Sequence, residues 1–347
     1  MPSTTLETGK VPVEEAARRR LRFGILGAAR IVPTALIDPA TRLDFDIVSV
    51  AARDPERAKD FAATHGIGSA SRSYTELLER DDLDAVYIPL PAVYRHEWTL
   101  RALERGLHVL AEKPIAMDAG QAREMVDHAE ARGLVLAEGF HYIFHPMFAR
   151  ALELLAQGTV GEIEHVDAMF DLALSPGPES AIYLDPALGG GALLHQGCYV
   201  LHTIRSLTGA EPQVDRASTV VGETGVDESV EADLVLPTGA TARASASMAP
   251  DAQWLMRATV RGSQAVMTLD NFIGPHYGNV DPAFAGRISL VAGGRSVLEE
   301  SFTGETTYTY QLRAFCDAVL GGPSLPVQGA GAVANMTLLD RVRAAAG

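Results

Sequence analysis

Arg22-Phe23-Gly24-Ile25-Leu26-Gly27-Ala28-Ala29-Arg30-Ile31 is the stretch on which the fold turns. Its first five residues form a short, mostly apolar run, as expected of a strand in a parallel sheet covered on both faces. Gly27 ends the run, and helical spacing follows at Ile31, Ala35 and Leu36. Strand, glycine turn and helix, in that order, open a dinucleotide-binding unit. A residue without bulk lets the chain turn tightly at the strand end. A second small residue lets the backbone approach a pyrophosphate at the helix N-terminus. Gly27 supplies the first and Ala29 the second, while Val32 stands where a third small residue is usual. The motif is degenerate, so its weight comes from being the first of several such units.

Those units follow at once. Residues 45–51, 84–88, 108–111 and 134–137 read as further strands. Between them lie helices that begin at Pro55, over 74–78, over 96–105 and over 117–132, the last two stopped by Gly106 and Gly133. Such alternation predicts an α/β, doubly wound parallel sheet over 21–140. After residue 160 the rhythm changes. Alternating segments at 162–171, 214–221, 229–236, 241–248, 256–261, 265–269, 288–291 and 297–302 predict an open-faced, mostly antiparallel α+β sheet. A glycine-led helix is expected over 189–207, and two closing helices over 306–320 and 330–346. The expected domains are a loose tail at 1–20, partly helical from Val13, a Rossmann domain at 21–140 and a substrate and oligomerisation domain at 141–328. A terminal helix at 329–347 is expected to pack back on the Rossmann domain.

With 347 residues, 47% hydrophobic and 21% charged, the chain is long enough for two ordered domains. A formal net charge of −15 repels phosphate backbones and anionic lipid, which excludes nucleic acid and membrane surfaces as main partners. The two cysteines, Cys198 and Cys316, cannot build a disulfide framework or a four-cysteine zinc site. No metal is expected, because His195 and His202 lack a third ligand nearby. The first twenty residues do not read as a secretory signal and no apolar run is long enough to span a bilayer, so a cytoplasmic location is expected.

Ligands on doubly wound sheets lie at the carboxyl ends of the strands. The second strand ends Ala51-Ala52-Arg53-Asp54. An arginine there accommodates a 2′-phosphate, whereas an acid would meet a ribose hydroxyl. Arg53 therefore favours NADP, with NAD as the alternative and Asp54 as a helix N-cap. Glu112-Lys113-Pro114 follows a strand directly, which aims a cationic amine into the crevice. In the segment from Gly189 to His202, helical spacing would place His195, Tyr199 and His202 on one face.

Together these residues resemble the Gfo/Idh/MocA family of oxidoreductases. The similarity rests on Gly27-Ala28-Ala29-Arg30-Ile31, Ala51-Ala52-Arg53-Asp54, the run from Leu107 to Pro114 with its Glu-Lys-Pro, Glu138-Gly139-Phe140, the glycine-rich helix start, and Tyr310-Gln311-Leu312 with Phe315. It implies a Rossmann domain followed by an open-faced sheet used for dimer or tetramer contacts. It also implies hydride transfer between a nicotinamide and a carbinol or carbonyl carbon of a sugar, inositol or related diol. Lys113 matches the family lysine at the reacting oxygen, and Tyr199 matches the acid/base position. His195 stands where the family commonly has Asp, and Ile143 where many relatives have Arg. The expected catalytic set is Lys113, Tyr199 and His195, with Lys113 lowering the pKa of the phenol. Gly27, Ala28, Ala29, Arg30, Ile31, Arg53, Pro89, Leu90, His96, Glu112 and Lys113 are expected to hold the cofactor. His141, Tyr142 and His202 are expected to meet the substrate. A coenzyme-recycling glycosidase or lyase, and a coenzyme-sensing binding protein, are the competing readings.

Overall fold

The computed structural model describes residues 20–174, 177 and 180–347. The expected tail up to Arg19, with its helix from Val13, lies outside the described residues. Strands β1 (Arg22–Leu26), β2 (Asp46–Ala51), β3 (Ser69–Ser71), β4 (Ala85–Ile88), β5 (His108–Ala111) and β6 (Leu136–Glu138) form one sheet in the order β3-β2-β1-β4-β5-β6. Every pairing in it is parallel. This is the Rossmann order, with its topological switch between β1 and β4. Phe23, Ile25, Leu26 and all of β4 are buried, as helices on both faces require. β3 was not read from the sequence, since Ser69-Ala70-Ser71 carries no apolar signature.

The second sheet holds β7 (Ile163–Asp171), β8 (Gln213–Val221), β9 (Asp227–Val235), β10 (Thr241–Ser247), β11 (Leu255–Gly262), β12 (Val266–Asp270), β13 (Gly286–Ala292) and β14 (Arg295–Phe302). Its order is β14-β13-β12-β11-β7-β10-β9-β8, antiparallel except where β7 meets β10. Alternation separates its faces. Ala242, Ala244 and Ala246 of β10 point inward, against the Cys198–Thr208 helix. Arg243 points outward to Glu231 at 2.6 Å, and Arg257 likewise reaches Asp270 at 2.6 Å. One face is therefore core and the other a ladder of exposed ion pairs, each worth only ~0–1 kcal/mol.

Both closing helices cross the expected domain boundary. Thr307–Val319 packs on the first helices of the Rossmann half, with Phe315 6.1 Å from Phe23. Ala330–Ala346 lies between the Ala119–Ala131 helix on one side and β8 with Cys198–Thr208 on the other. There Asp340 accepts from the Ala119 N–H at 2.8 Å.

Candidate active site

The turn after β5 is held from below. Glu112 accepts a 2.7 Å hydrogen bond from the Tyr87 hydroxyl on β4. Arg95, on the Ala92–Glu104 helix and only 5% exposed, donates to the Pro114 carbonyl. Glu138 at the end of β6 accepts from the Ile115 N–H at 2.9 Å. Burial pushes the Glu138 carboxyl up to about 8, with that N–H and the Arg95 charge opposing the shift. The Lys113–Pro114 peptide is cis. Above this base, the Lys113 amine donates to the His195 carbonyl at 2.9 Å and stands 5.0 Å from the centre of the Tyr199 ring.

Tyr199 comes from the second half. Its helix starts at Gly191, where φ is +118° and a Cβ would fall 2.1 Å from Asp227. Only glycine fits both conditions. Asp227, at the start of β9, accepts from the Leu193 N–H at 2.6 Å and so ties down the helix start. Leu193–Gly197 is a π-turn, and α-helix begins only at Cys198. The wider turn breaks the simple spacing that placed three side chains on one face.

The three side chains accordingly have different surroundings. The Tyr199 hydroxyl lies 3.0 Å from His141 Nε2, and His141 Nδ1 lies 2.7 Å from Thr307 Oγ1. The His195 ring packs edge-on to Tyr183 at 4.5 Å. Burial, with the Lys113 and Arg95 charges, holds that ring well below the usual histidine range. His202 is stacked on Phe140 at 4.1 Å and its Nδ1 lies 2.7 Å from the Tyr142 hydroxyl, while Thr203 donates to Tyr142 at 2.9 Å. Tyr142 and His202 thus form a buried cross-link behind the site. His141, read as a substrate contact, is hydrogen-bonded to the phenol.

One expectation reverses. Burial raises the Tyr199 phenol well above its ordinary value, reinforced by the facing Tyr308 and Glu112.

On the cofactor side, Gly27 has φ +126° and its N–H donates to the Ala51 carbonyl at 2.8 Å. A Cβ there would stand 3.0 Å from Leu90, so the turns after β1 and β4 abut. Pro89 and Leu90 are buried in that seam, with Ala28 beside it, while Ala29 and Ile31 are half-buried and Arg30 is exposed. Arg57 braces the loop by donating to the Ala28 carbonyl at 2.8 Å. Arg53 is exposed at the end of β2, and Asp54 caps the next helix by accepting from the Glu56 N–H at 3.0 Å. A glycine and two alanines at a strand-to-helix turn, with arginines at the neighbouring strand end, fit a dinucleotide that carries an extra phosphate. His96 is not drawn into this group: its imidazole bonds Glu124 at 2.8 Å, across to the next helix. Among the described residues, no cluster of three or more His, Cys, Asp or Glu could hold a metal ion, and no helix is long and apolar enough to cross a membrane.

Sequence reasoning missed Arg95, Asp227, Thr307 and Tyr308. The Tyr308 ring lies 4.0 Å from His141 and its phenol is raised by burial with Glu112 facing it. Thr306 and Thr307 at a helix start give a capping signal, but nothing local ties Asp227 to a helix that begins far upstream.

Comparison with known proteins agrees with this fold. Residues 21–140 match the GFO_IDH_MocA oxidoreductase family with its NAD-binding Rossmann fold, and residues 148–268 match the GFO/IDH/MocA C-terminal domain. The chain is 34% identical over 323 residues to a D-xylose 1-dehydrogenase (NADP(+)) of Haloferax volcanii, covering 93% of this chain and 96% of the relative. It is 31% identical over 331 residues to the dTDP-3,4-didehydro-2,6-dideoxy-alpha-D-glucose 3-reductase of Actinomadura kijaniata, covering 94% and 96%. A crystal structure of a 3-ketoreductase from Actinomadura kijaniata with NADP and TDP-benzene superposes with a TM-score of 0.85 at 30% identity, covering 94% and 98%.

Proposed function

The chain belongs to the Gfo/Idh/MocA oxidoreductase family, and from that premise we propose that it is an NADP-dependent sugar dehydrogenase or ketoreductase whose reacting centre is Lys113 with Tyr199. One observation carries the assignment of the centre. An amine from the first half and a phenol ring from the second converge at 5.0 Å, at the carboxyl end of β5. When bound, NADP(H) supplies or accepts the hydride at a carbon of the substrate. The phosphate loop from Gly27 to Ile31, with Arg53, Pro89, Leu90 and Glu112, is the set we assign to holding it.

The protein's own part is positioning and charge. Lys113 is aimed at the oxygen whose charge changes as hydride moves, and its ammonium stabilises that oxygen when it is negative. Tyr199 carries the proton exchanged with the same oxygen. A buried phenol keeps its proton over the neutral range, which suits the reducing direction, where a proton is given. His195 contributes through its backbone carbonyl, which holds the lysine amine in place. The division between coenzyme and substrate units is placed at residues 140–141, and oligomer contacts are assigned to the open face of the second sheet.

The test is a panel of aldoses, keto-sugars, inositols and diols, followed by nicotinamide absorbance. Net coenzyme turnover separates a dehydrogenase from a coenzyme-recycling lyase. Lys113→Met should lower kcat by about 10²–10³ while leaving NADPH binding intact. Unchanged turnover in that variant would remove the assignment. Arg53→Ala should raise the KM for NADP about tenfold and leave that for NAD alone; equal effects on both would deny it the 2′-phosphate.

A further inference from the structure

The Tyr199 hydroxyl owns one proton and has two claims on it. If it donates to His141 Nε2, it cannot donate to a substrate oxygen. The bond on the far side of the imidazole decides the matter. His141 Nδ1 lies 2.7 Å from Thr307 Oγ1, and a hydroxyl can donate or accept. When Thr307 donates to Nδ1, the ring carries its proton on Nε2 and donates to the Tyr199 oxygen. The phenol proton is then free to face the crevice. We propose that His141 is the positioning residue of Tyr199: held by Thr307 with its proton on Nε2, it donates to the phenol oxygen, turns the phenol proton toward the substrate, and supports the phenolate once that proton has gone. This inference rests on the oxidoreductase reading and adds to it a residue and a direction for the proton.

Three observations bear on this arrangement, and the lysine charge is the one that favours it over its reverse. Burial, then the charges of His276 and Lys113, hold the His141 ring well below the usual histidine range, so it stays neutral, with one N–H and one bare nitrogen. The Lys113 ammonium, 5.0 Å from the phenol ring, favours negative charge there, and an N–H aimed at the oxygen is complementary to the same charge. The imidazole is also fixed from the side, 4.0 Å from the Tyr308 ring. Lys113 and Glu112 from the strand-end turn, His141 and Tyr142 after β6, Cys198 on the same helix and Tyr308 from the closing helix are titratable groups around the phenol. Among them His141 is the one in hydrogen-bond contact with its oxygen. The proton account closes without charging the ring. In reduction the Tyr199 O–H bond breaks as the substrate O–H bond forms, the coenzyme of the proposed reaction would supply the hydride, and the phenolate regains a proton from water on product release. His141 ends with the proton it began with.

Two measurements test this. The first is the pH profile of kcat in the oxidising direction, where the phenolate must accept a proton. His141→Leu should lower kcat at neutral pH by about 10–100-fold and move the rising limb up by about one pH unit, with the sugar KM little changed. His141→Gln puts an amide N–H near the place of Nε2 and should stay within about threefold of the parent with its limb unmoved. The second needs no turnover: nitrogen NMR of the histidine-labelled protein, with the His141 signals identified by their loss in His141→Gln. The proton should be on Nε2, and Thr307→Val should shift it toward Nδ1. A proton found on Nδ1 in the parent, or Leu and Gln variants with the same rate and the same limb, would overturn the inference. A parent that turns over sugars but ignores His141→Leu sinks this inference alone, whereas a parent that turns over nothing on the panel sinks the oxidoreductase reading with it.

Discussion

The two walls of the crevice are built from different materials. The Lys113 wall rests on ionisable groups: Arg95, Glu112 and Glu138 lie beneath one turn, each donating to or accepting from the backbone or Tyr87. The Tyr199 wall rests on neutral groups: His141 with Thr307, and Tyr142 with His202 and Thr203. A wall that presents an ammonium is underpinned by ionisable side chains whose hydrogen bonds fix a turn. A wall that exchanges a proton is underpinned by donors and acceptors that hold one hydrogen in place. The contrast teaches that the two halves contribute differently to one reaction, and each support can be removed separately.

The largest break comes from the charged wall. Arg95→Met removes a buried cation facing Glu112 and Glu138 and should cost about 3–5 kcal/mol in urea unfolding. A cost below ~1 kcal/mol would show that the network is solvated rather than structural. Next is the pH response. Glu138 is raised to about 8, so its contribution is fully present below its ordinary value of 4.5 and is lost as pH rises through 8. His202 is lowered to about 3 by burial and then Arg205, so its contribution is present above 6.5 and is lost as pH falls through 3. The charged wall should therefore weaken in base and the neutral wall in acid. Glu138→Gln should flatten the basic side of the stability profile, by an amount on the order of 2 kcal/mol, and leave the acidic side. A basic side that keeps its slope in that variant would detach Glu138 from it. Smallest is Tyr142→Phe, which removes the hydroxyl between Thr203 and His202. It should cost about 1–2 kcal/mol and leave the affinity for NADPH unchanged. A loss of coenzyme affinity would place Tyr142 nearer the crevice than its burial allows.

How much of this could be read beforehand follows from the range of each interaction. Strands such as β1, β4 and β5 announce themselves because burial on both faces demands continuous apolar residues. β3 does not, because Ser49 and Ser71 satisfy each other there by a 3.0 Å hydrogen bond. Lys113 was legible because Glu112-Lys113-Pro114 sits against a strand end. Tyr199 was legible by spacing and resemblance, but its partner was misplaced on His195, because helical periodicity cannot foresee a π-turn over Leu193–Gly197. His141 was in view without its role, since the bond that defines it crosses 58 residues of sequence to Tyr199 and 166 to Thr307. Arg95 was overlooked in favour of His96, its neighbour on the same helix. One step around a helix turns a side chain by about 100°, which separates a buried support from a hydrogen bond at the rim.

The contact between Phe23 and Phe315 has a consequence for synthesis. Chains emerge from the ribosome N-terminus first, and domains usually fold as they appear. Here the first strand of the first sheet is covered by an aromatic ring from the Thr307–Val319 helix, far along the chain. The nascent coenzyme-binding half keeps an apolar flank uncovered until that helix has been made. A chain halted before Thr307 would carry every residue of its phosphate loop and still expose a sticky side, which makes the last helices an internal seal on the first.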